Sequence, residues 1–203
     1  HLEGSYAPSA LFRALADEPR APRGGEPERA LPCDPGTGLP PRAEPFRFLG
    51  NGEKSLVRSE HDNSRVARWV VRERGITLCG PDPKLLIDAI SGDELRREVR
   101  RNLSFYCGPY VRGESKIYAV WQQAFFVTLI CRMLHTLEAG EVHSKKAGTA
   151  WALAVLPTQW HGLITRAAAT WAGPQELWHN PPDALEVVLT LELMSYAIAA
   201  GAK

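Results

Sequence analysis

Apolar positions repeat with a helical period over much of the second half of the chain. Leu95, Val99 and Leu103 lie at i, i+4 and i+8, as they do on one face of a helix. The preceding segment Ser91–Glu94 has the form of a capping box, in which a serine and a glutamate satisfy the first backbone N–H groups. We therefore predict a helix that begins just after Ser91.

The segment 126–151 has the clearest pattern of the whole chain. An apolar run ends at Gly140, a residue typical of a helix C-terminus, and Ser144 is a favourable N-cap for a second helix. We expect the first of these helices over about 115–139, largely buried, and the second over 144–156.

Further helices are predicted by the same periodicity over about 62–75, 158–171 and 182–200. The connections after residue 90 are short, and short connections favour antiparallel neighbours. Residues 91–203 are therefore expected to form an antiparallel helical bundle of about five helices.

The first part of the chain has a different pattern. Residues 14–60 are rich in Pro, Gly, Arg and Glu and show little apolar periodicity, which is typical of a long loop. Short strands are predicted within 1–8 and within 39–56. The fold class is thus expected to be α+β, mostly α, with one domain over 1–90 and a second over 91–203.

Composition and charge narrow the classes of partner. The 203 residues are 44% hydrophobic and 23% charged, which suits one large or two small globular domains. The formal net charge of +1 gives no electrostatic reason to expect nucleic acid or a membrane as a partner, and no apolar run approaches the ~20 residues of a membrane span. The four cysteines form no C-x-x-C pair, so we expect a reducing, cytoplasmic location.

Two cations stand at unexpected positions. Arg132 lies inside an apolar run, where a guanidinium is costly unless it meets an anion. Lys145 follows the N-cap Ser144 at a helix start, which attracts anions. We expect the two side chains to converge and to bind a polyphosphate. The alternative is an ion-paired surface arginine beside an exposed lysine of a first helical turn.

Other candidate residues give weaker signals. Gly4-Ser5 is followed by the adjacent acids Asp17-Glu18 and not by a spaced Asp-x-Asp pair, so we assign no metal ligand. Glu3 is either an ordinary strand glutamate or a site residue. His135 lies one turn after Arg132 and is expected to be a core histidine or to line the same site.

Several short motifs of the helical half occur together in a fixed order. They are Val127–Arg132, Thr136–Gly140, Ser144-Lys145, Ala150-Trp151 and Leu156-Pro157. In this order they resemble the C-terminal helical domain of the streptomycin/spectinomycin aminoglycoside adenylyltransferase family, whose members read roughly V-L-T-L-x-R, T-x-x-x-G, S-K, A-x-x-W and L-P. The resemblance extends to Arg72–Pro83 and to Leu2-Glu3.

The resemblance implies an activity and its site residues. Enzymes of this family transfer AMP from ATP to a hydroxyl of an aminoglycoside, with Mg²⁺ held by an Asp-x-Asp motif. By position, Glu3 would be the general base, and Arg132 and Lys145 would bind the ATP phosphates. Residues 1–90 would be the C-terminal part of a nucleotidyltransferase domain. Since the chain begins at His1, we expect the magnesium-binding segment to lie upstream and the chain alone to be inactive.

Two features depart from the family pattern. Gln122 and Gln123 stand where family members often carry acids, so a polycationic drug such as streptomycin is not the expected acceptor. The insert 14–60 is also unlike the compact members. We expect ATP and a small hydroxyl compound as partners, without nucleic acid or membrane. The competing hypothesis is a non-catalytic helical binding or regulatory module that retains the family fold.

Overall fold

The computed structural model of the chain describes five ranges of residues, namely 4–6, 47–49, 54–58, 62–171 and 173–202. The chain divides into two compact units, His1–Ala89 and Ile90–Lys203. The described part is mostly helical, as the periodicity predicted. Glu3 and nearly all of the insert 14–60 lie outside the described residues, and the nature of the first unit stays a prediction.

A small antiparallel sheet belongs to the first unit. Its strands are β1 (Gly4–Tyr6), β2 (Arg47–Leu49) and β3 (Val57–Arg58), and they pair in the order β1-β2-β3. Strand β1 lies within the first segment predicted to be extended and β2 within the second, whereas β3 follows just beyond it.

Two helices follow in the same unit. Helix α1 (Arg65–Arg74) begins after Ser64, whose hydroxyl accepts a hydrogen bond from the backbone N–H of Ala67. It ends at Gly75, as predicted. Helix α2 (Pro83–Leu86) is a single turn with proline in its first position.

The second unit contains five described α-helices, which are α3 (Gly92–Val111), α4 (Val120–Ala139), α5 (Lys145–Val155), α6 (His161–Thr170) and α7 (Ala184–Gly201). Short 3₁₀ turns lie at Thr158–Trp160 and Gln175–Leu177. Helix α4 contacts each of the other four helices and is the centre of the unit. Val127, Ile130 and Cys131 of α4 are fully buried, as the apolar run predicted.

The capping box before α3 is confirmed. The Ser91 hydroxyl accepts from the backbone N–H of Glu94, and the Glu94 carboxylate accepts from the backbone N–H of Ser91. Leu95, Val99 and Leu103 are all buried, so the helical face read from the sequence is the one that packs.

The start of α4 differs from the prediction by about five residues. Helix α4 begins at Val120, and the first two N–H groups, those of Val120 and Trp121, donate to the carbonyls of Asn180 and Trp178. These carbonyls replace a side-chain cap and come from a distant loop, so no local signal marks the start. The end at Gly140 is confirmed, where φ is 71°.

Helices α4 and α5 do not form the antiparallel hairpin that their short connection predicted. Gly148 of α5 lies against the backbone of Arg132, while Trp151, one turn later, donates from Nε1 to Glu138 Oε1 at 3.2 Å. The contacts therefore advance in the same direction along both helices. The connection 140–144 permits this because five extended residues span about 17 Å, the rise of about 11 helical residues.

Helix α7 is the most apolar helix of the described part. It has 18 residues with a mean hydropathy of 1.5, and 28% of it is buried. By length and composition alone, it is the one described helix that meets the criteria for crossing a bilayer, which the sequence analysis had not singled out. Its buried residues Thr190, Leu193, Met194 and Ala197 belong to the core, and α7 packs against α3 and α4.

Candidate functional site

The contact between α4 and α5 brings Arg132 and Lys145 together. A Cβ atom at Gly148 would lie 2.8 Å from the Arg132 Cα and 2.9 Å from its backbone nitrogen, so the two helices touch at this point. Lys145 precedes Gly148 by one helical turn and therefore lies beside the same stretch of α4. The Ser144 hydroxyl caps α5 by accepting from the backbone N–H of Ala147 at 3.1 Å.

Neither cation has an acidic partner within the described part of the chain. The ion pairs found there involve other cations, such as Arg166 with Glu186 and Arg112 with Glu114. Arg132 and Lys145 are both half-buried. The ion-paired alternative for Arg132 therefore has no support among the described residues, and two partly desolvated positive charges remain for an external anion.

The electrostatics of the two groups agree with this geometry. Burial lowers the pKa of the Arg132 guanidinium, and no neighbouring charge is among the causes. The pKa of Lys145 is also lowered, first by burial and second by the positive charge of Arg132. Burial thus disfavours the charged form of both groups, and an anion between them would reverse the effect.

Two aromatic rings surround the ammonium group of Lys145. Its Nζ lies 5.0 Å from the ring centre of Phe125 and 4.8 Å from that of Trp171. These rings hold the cation by cation–π attraction and shield it from water. Neither Trp171 nor Phe125 was among the site residues predicted from the sequence. Phe125 precedes Arg132 by seven residues, a spacing that places both on one face of a helix and could have identified Phe125 from the sequence. Trp171 follows α6, so its position beside Lys145 depends on how the helices pack.

His135 forms a stack of rings one turn beyond Arg132. Its ring lies parallel to those of His143, at a centroid distance of 4.1 Å, and Trp151, at 5.1 Å. Its Nδ1 is buried and has no hydrogen-bond partner in the described part of the chain. The pKa of His135 is lowered first by burial and second by His143, while Glu138 acts to raise it. His135 is thus a half-buried packing residue next to the cations.

Gln122 and Gln123, at positions where the resemblance implies acids, both form hydrogen bonds within the protein. Gln123 is buried and donates from Nε2 to the Thr190 hydroxyl at 3.1 Å. The Gln122 carbonyl oxygen accepts from the Tyr118 backbone N–H at 2.9 Å, and its Nε2 donates to the Tyr110 hydroxyl at 3.0 Å. The hydrogen bond of Gln123 therefore links α4 to α7. Of the two glutamines, only the half-buried Gln122 borders solvent.

Carboxylates for a metal ion do not cluster in the residues that the structure describes. The acids that the sequence analysis considered, Glu3, Asp17 and Glu18, all lie outside those residues. The described groups make a candidate anion site, whose positive groups would be Arg132, Lys145 and the N-terminus of α5.

The helical region that carries this candidate site is similar to a known family of domains. Residues 109–194 match the family described as aminoglycoside adenylyltransferase, C-terminal domain. The match includes Arg132, Lys145 and Trp171. The resemblance carried by the short motifs is thereby confirmed.

A curated relative gives a more particular likeness. The spectinomycin 9-adenylyltransferase of Campylobacter jejuni is 27% identical to this chain over 108 residues. The matched region is 53% of this chain and 38% of the relative. The chain thus covers well under half of the relative's length.

Proposed function

We propose that this chain supplies the triphosphate-binding part of an enzyme that transfers AMP from ATP to a hydroxyl of a small aminoglycoside-like compound. The convergence of Arg132 and Lys145 without an acidic partner in the described residues carries the proposal. The match of residues 109–194 to the C-terminal domain of the aminoglycoside adenylyltransferase family supports the reaction class.

The two cations suit the demands of adenylyl transfer. Attack of a hydroxyl on the α-phosphorus of ATP releases pyrophosphate, and negative charge grows on the leaving group. Arg132 and Lys145 would neutralise that charge from fixed positions, with Lys145 held between Phe125 and Trp171. Because the site excludes part of the water around both cations, each contact to phosphate is stronger than it would be at an open surface.

The remaining parts of the mechanism are assigned by resemblance. Glu3 would accept the proton of the attacking hydroxyl as general base. Mg²⁺, if bound, would neutralise phosphate charge, and it would need carboxylates, which do not cluster in the described residues. The acceptor would be less cationic than streptomycin, because neither Gln122 nor Gln123 offers a carboxylate.

The test is an assay of the natural protein at full length with ATP, Mg²⁺ and spectinomycin. Release of pyrophosphate and a gain in acceptor mass by one AMP would support transfer. Arg132→Gln is expected to lower kcat/KM by about 10²-fold, since it removes a charge-assisted contact. Glu3→Gln should lower kcat by at least about 10²-fold while ATP still binds.

Lys146→Gln is the matched control, because Lys146 is exposed and directly follows Lys145. It should retain the activity of the unchanged protein. A protein that binds ATP but transfers no AMP to any hydroxyl compound would favour the non-catalytic module. A protein that neither binds ATP nor transfers AMP would contradict the proposal altogether.

A further inference from the structure

A groove lies between α3 and the C-terminal end of α7, on residues that the ATP site does not use. It has a volume of about 600 Å³ and is lined by Arg100, Arg101, Ser104, Phe105, Ile198, Gly201 and Ala202. A Cβ atom at Gly201 would lie 3.3 Å from Leu103 Cδ1 and 3.7 Å from Arg100 Cγ. The two helices therefore meet closely at Gly201, which lies at the floor of the groove.

One wall of the groove is positively charged and unbalanced. Arg97, Arg100 and Arg101 follow one another at helical spacing on the exposed side of α3, and none of them forms an ion pair or a side-chain hydrogen bond in the described part of the chain. Like charges at this spacing repel one another. By contrast, the adjacent Arg96 binds Asp93 and the carbonyls of Leu137 and Glu138.

The floor and the other wall are apolar. Phe105 is 41% exposed, and Ile198 and Ala202 continue the surface onto α7. The same face of α7 runs on through Leu191 to Val188, which is 50% exposed. A rise of 1.5 Å per residue makes this strip about 21 Å long, which is the length of about four helical turns.

We propose that this groove is a docking surface for an acidic amphipathic helix of a partner protein. Apolar side chains at i, i+3, i+4 and i+7 of such a helix would pack on Phe105, Ile198 and the strip of α7. Carboxylates on its flank would face Arg100 and Arg101, whose planar guanidinium groups bind carboxylates through paired hydrogen bonds.

Charge and shape complementarity favour this occupant over three others. Nucleic acid would satisfy the arginines and leave the apolar floor exposed to water, and a membrane surface fits a convex face better than a groove. A second copy of this chain offers Glu192 on α7 as an acid, but a symmetric pairing of two α7 helices about their midpoint would place Glu192 near its own copy. The proposal does not depend on ATP binding.

The test uses a fluorescein-labelled peptide of about four helical turns, with leucine at the i, i+3, i+4 and i+7 positions and glutamate elsewhere. Fluorescence anisotropy with the whole chain should show saturable binding. Arg101→Glu should weaken binding at least about tenfold, because one attractive contact becomes repulsive. Lys116→Glu makes the same change of charge at an exposed lysine away from the groove and should have little effect.

Control peptides, competing ligands and a check of folding complete the test. A peptide of the same composition in scrambled order, and one with lysine in place of glutamate, should both bind at least about tenfold more weakly. Circular dichroism of each protein variant checks that the helices are intact. Equal binding of the ordered and scrambled peptides, equal effects of Arg101→Glu and Lys116→Glu, or tighter Arg101-dependent binding of an RNA oligonucleotide or of anionic vesicles would overturn the proposal.

Discussion

Gly148 of α5 packs directly on the backbone of Arg132 of α4. A Cβ atom at Gly148 would approach the Arg132 Cα to 2.8 Å. This contact fixes the distance between the two helices and, one turn away, the position of Lys145 relative to Arg132. The geometry of the proposed anion site therefore depends on a residue that has no side chain of its own.

Gly148→Val should separate the two helices and disturb the site. Its branched side chain would press on backbone atoms, which cannot rotate away, and overpacking of this kind costs about 1–3 kcal/mol. We expect a lower midpoint in urea denaturation together with at least tenfold weaker ATP binding by calorimetry. The matched control is Ala150→Val on the exposed side of the same helix, which should change both quantities little. Unchanged ATP binding by a stably folded Gly148→Val variant would contradict the claim that this packing contact positions the site.

As the pH is raised, the affinity for ATP should begin to fall at a lower pH than it would if Lys145 had the pKa of an ordinary lysine. In the proposed site, ATP would bind the protonated form of Lys145, whose pKa lies below its ordinary value of 10.5 because of burial and of Arg132. As the pH rises through that lowered pKa, the ammonium is lost and the affinity declines. In Lys145→Arg the charge persists and the decline should disappear. Identical pH profiles for the two proteins would show that Lys145 does not contact the phosphates.

The same shift predicts the sign of a change in stability. Between the lowered pKa of Lys145 and its ordinary value, the unfolded chain binds more protons than the folded chain. The contribution of this group to the free energy of unfolding therefore rises with pH over that interval and is constant below it. Urea denaturation of the unchanged chain and of Lys145→Arg across the alkaline range measures the difference.

Gln123→Glu should destabilise the fold although family members often carry acids in this region. Gln123 is 4% exposed and donates to the Thr190 hydroxyl, and a carboxylate there would lose this donor and be buried. We expect a loss of about 1–3 kcal/mol at neutral pH. The loss should shrink in acid, where a protonated glutamate can donate again. Gln122→Glu, at a half-buried position, is the control with the smaller expected loss, and equal losses would refute the structural role.

The acceptor preference can be tested in cells. Without a carboxylate at Gln122, the one of the two glutamines that borders solvent, a polycationic drug lacks a charge-assisted contact worth roughly 1.5–3 kcal/mol when well formed. Cells that express the natural protein at full length should therefore gain more resistance to spectinomycin than to streptomycin, and Glu3→Gln should abolish the gain. Stronger Glu3-dependent resistance to streptomycin would show that other acids serve the acceptor.

Local signals made most of the helical fold predictable from the sequence. The capping box at Ser91, the glycine stop at Gly140 and the N-cap Ser144 each act within a few residues, and all three are confirmed. The start of α4 was misplaced because Asn180 and Trp178, far along the chain, satisfy its first N–H groups. The relative direction of α4 and α5 was also wrong, since loop length limits the reach of a connection and does not set its path.

The site could be predicted only in part for the same reason. Arg132 and Lys145 were recognisable as cations in costly or unusual positions, and the structure brings them together. Trp171 was not assigned to the site, because its approach to Lys145 depends on how α6 ends against the other helices. The place of Glu3 and of any metal-binding acids relative to these cations stays a prediction.

The most direct test of the central claim is ATP binding to this chain by isothermal calorimetry. Arg132→Gln and Lys145→Gln should each weaken binding at least about tenfold, because each removes one charge-assisted contact to phosphate. Lys146→Gln, which removes an equal charge at the neighbouring exposed position, should bind as the unchanged chain does. Equal affinities for all four proteins, or an equal loss in all three variants, would contradict a phosphate site at Arg132 and Lys145.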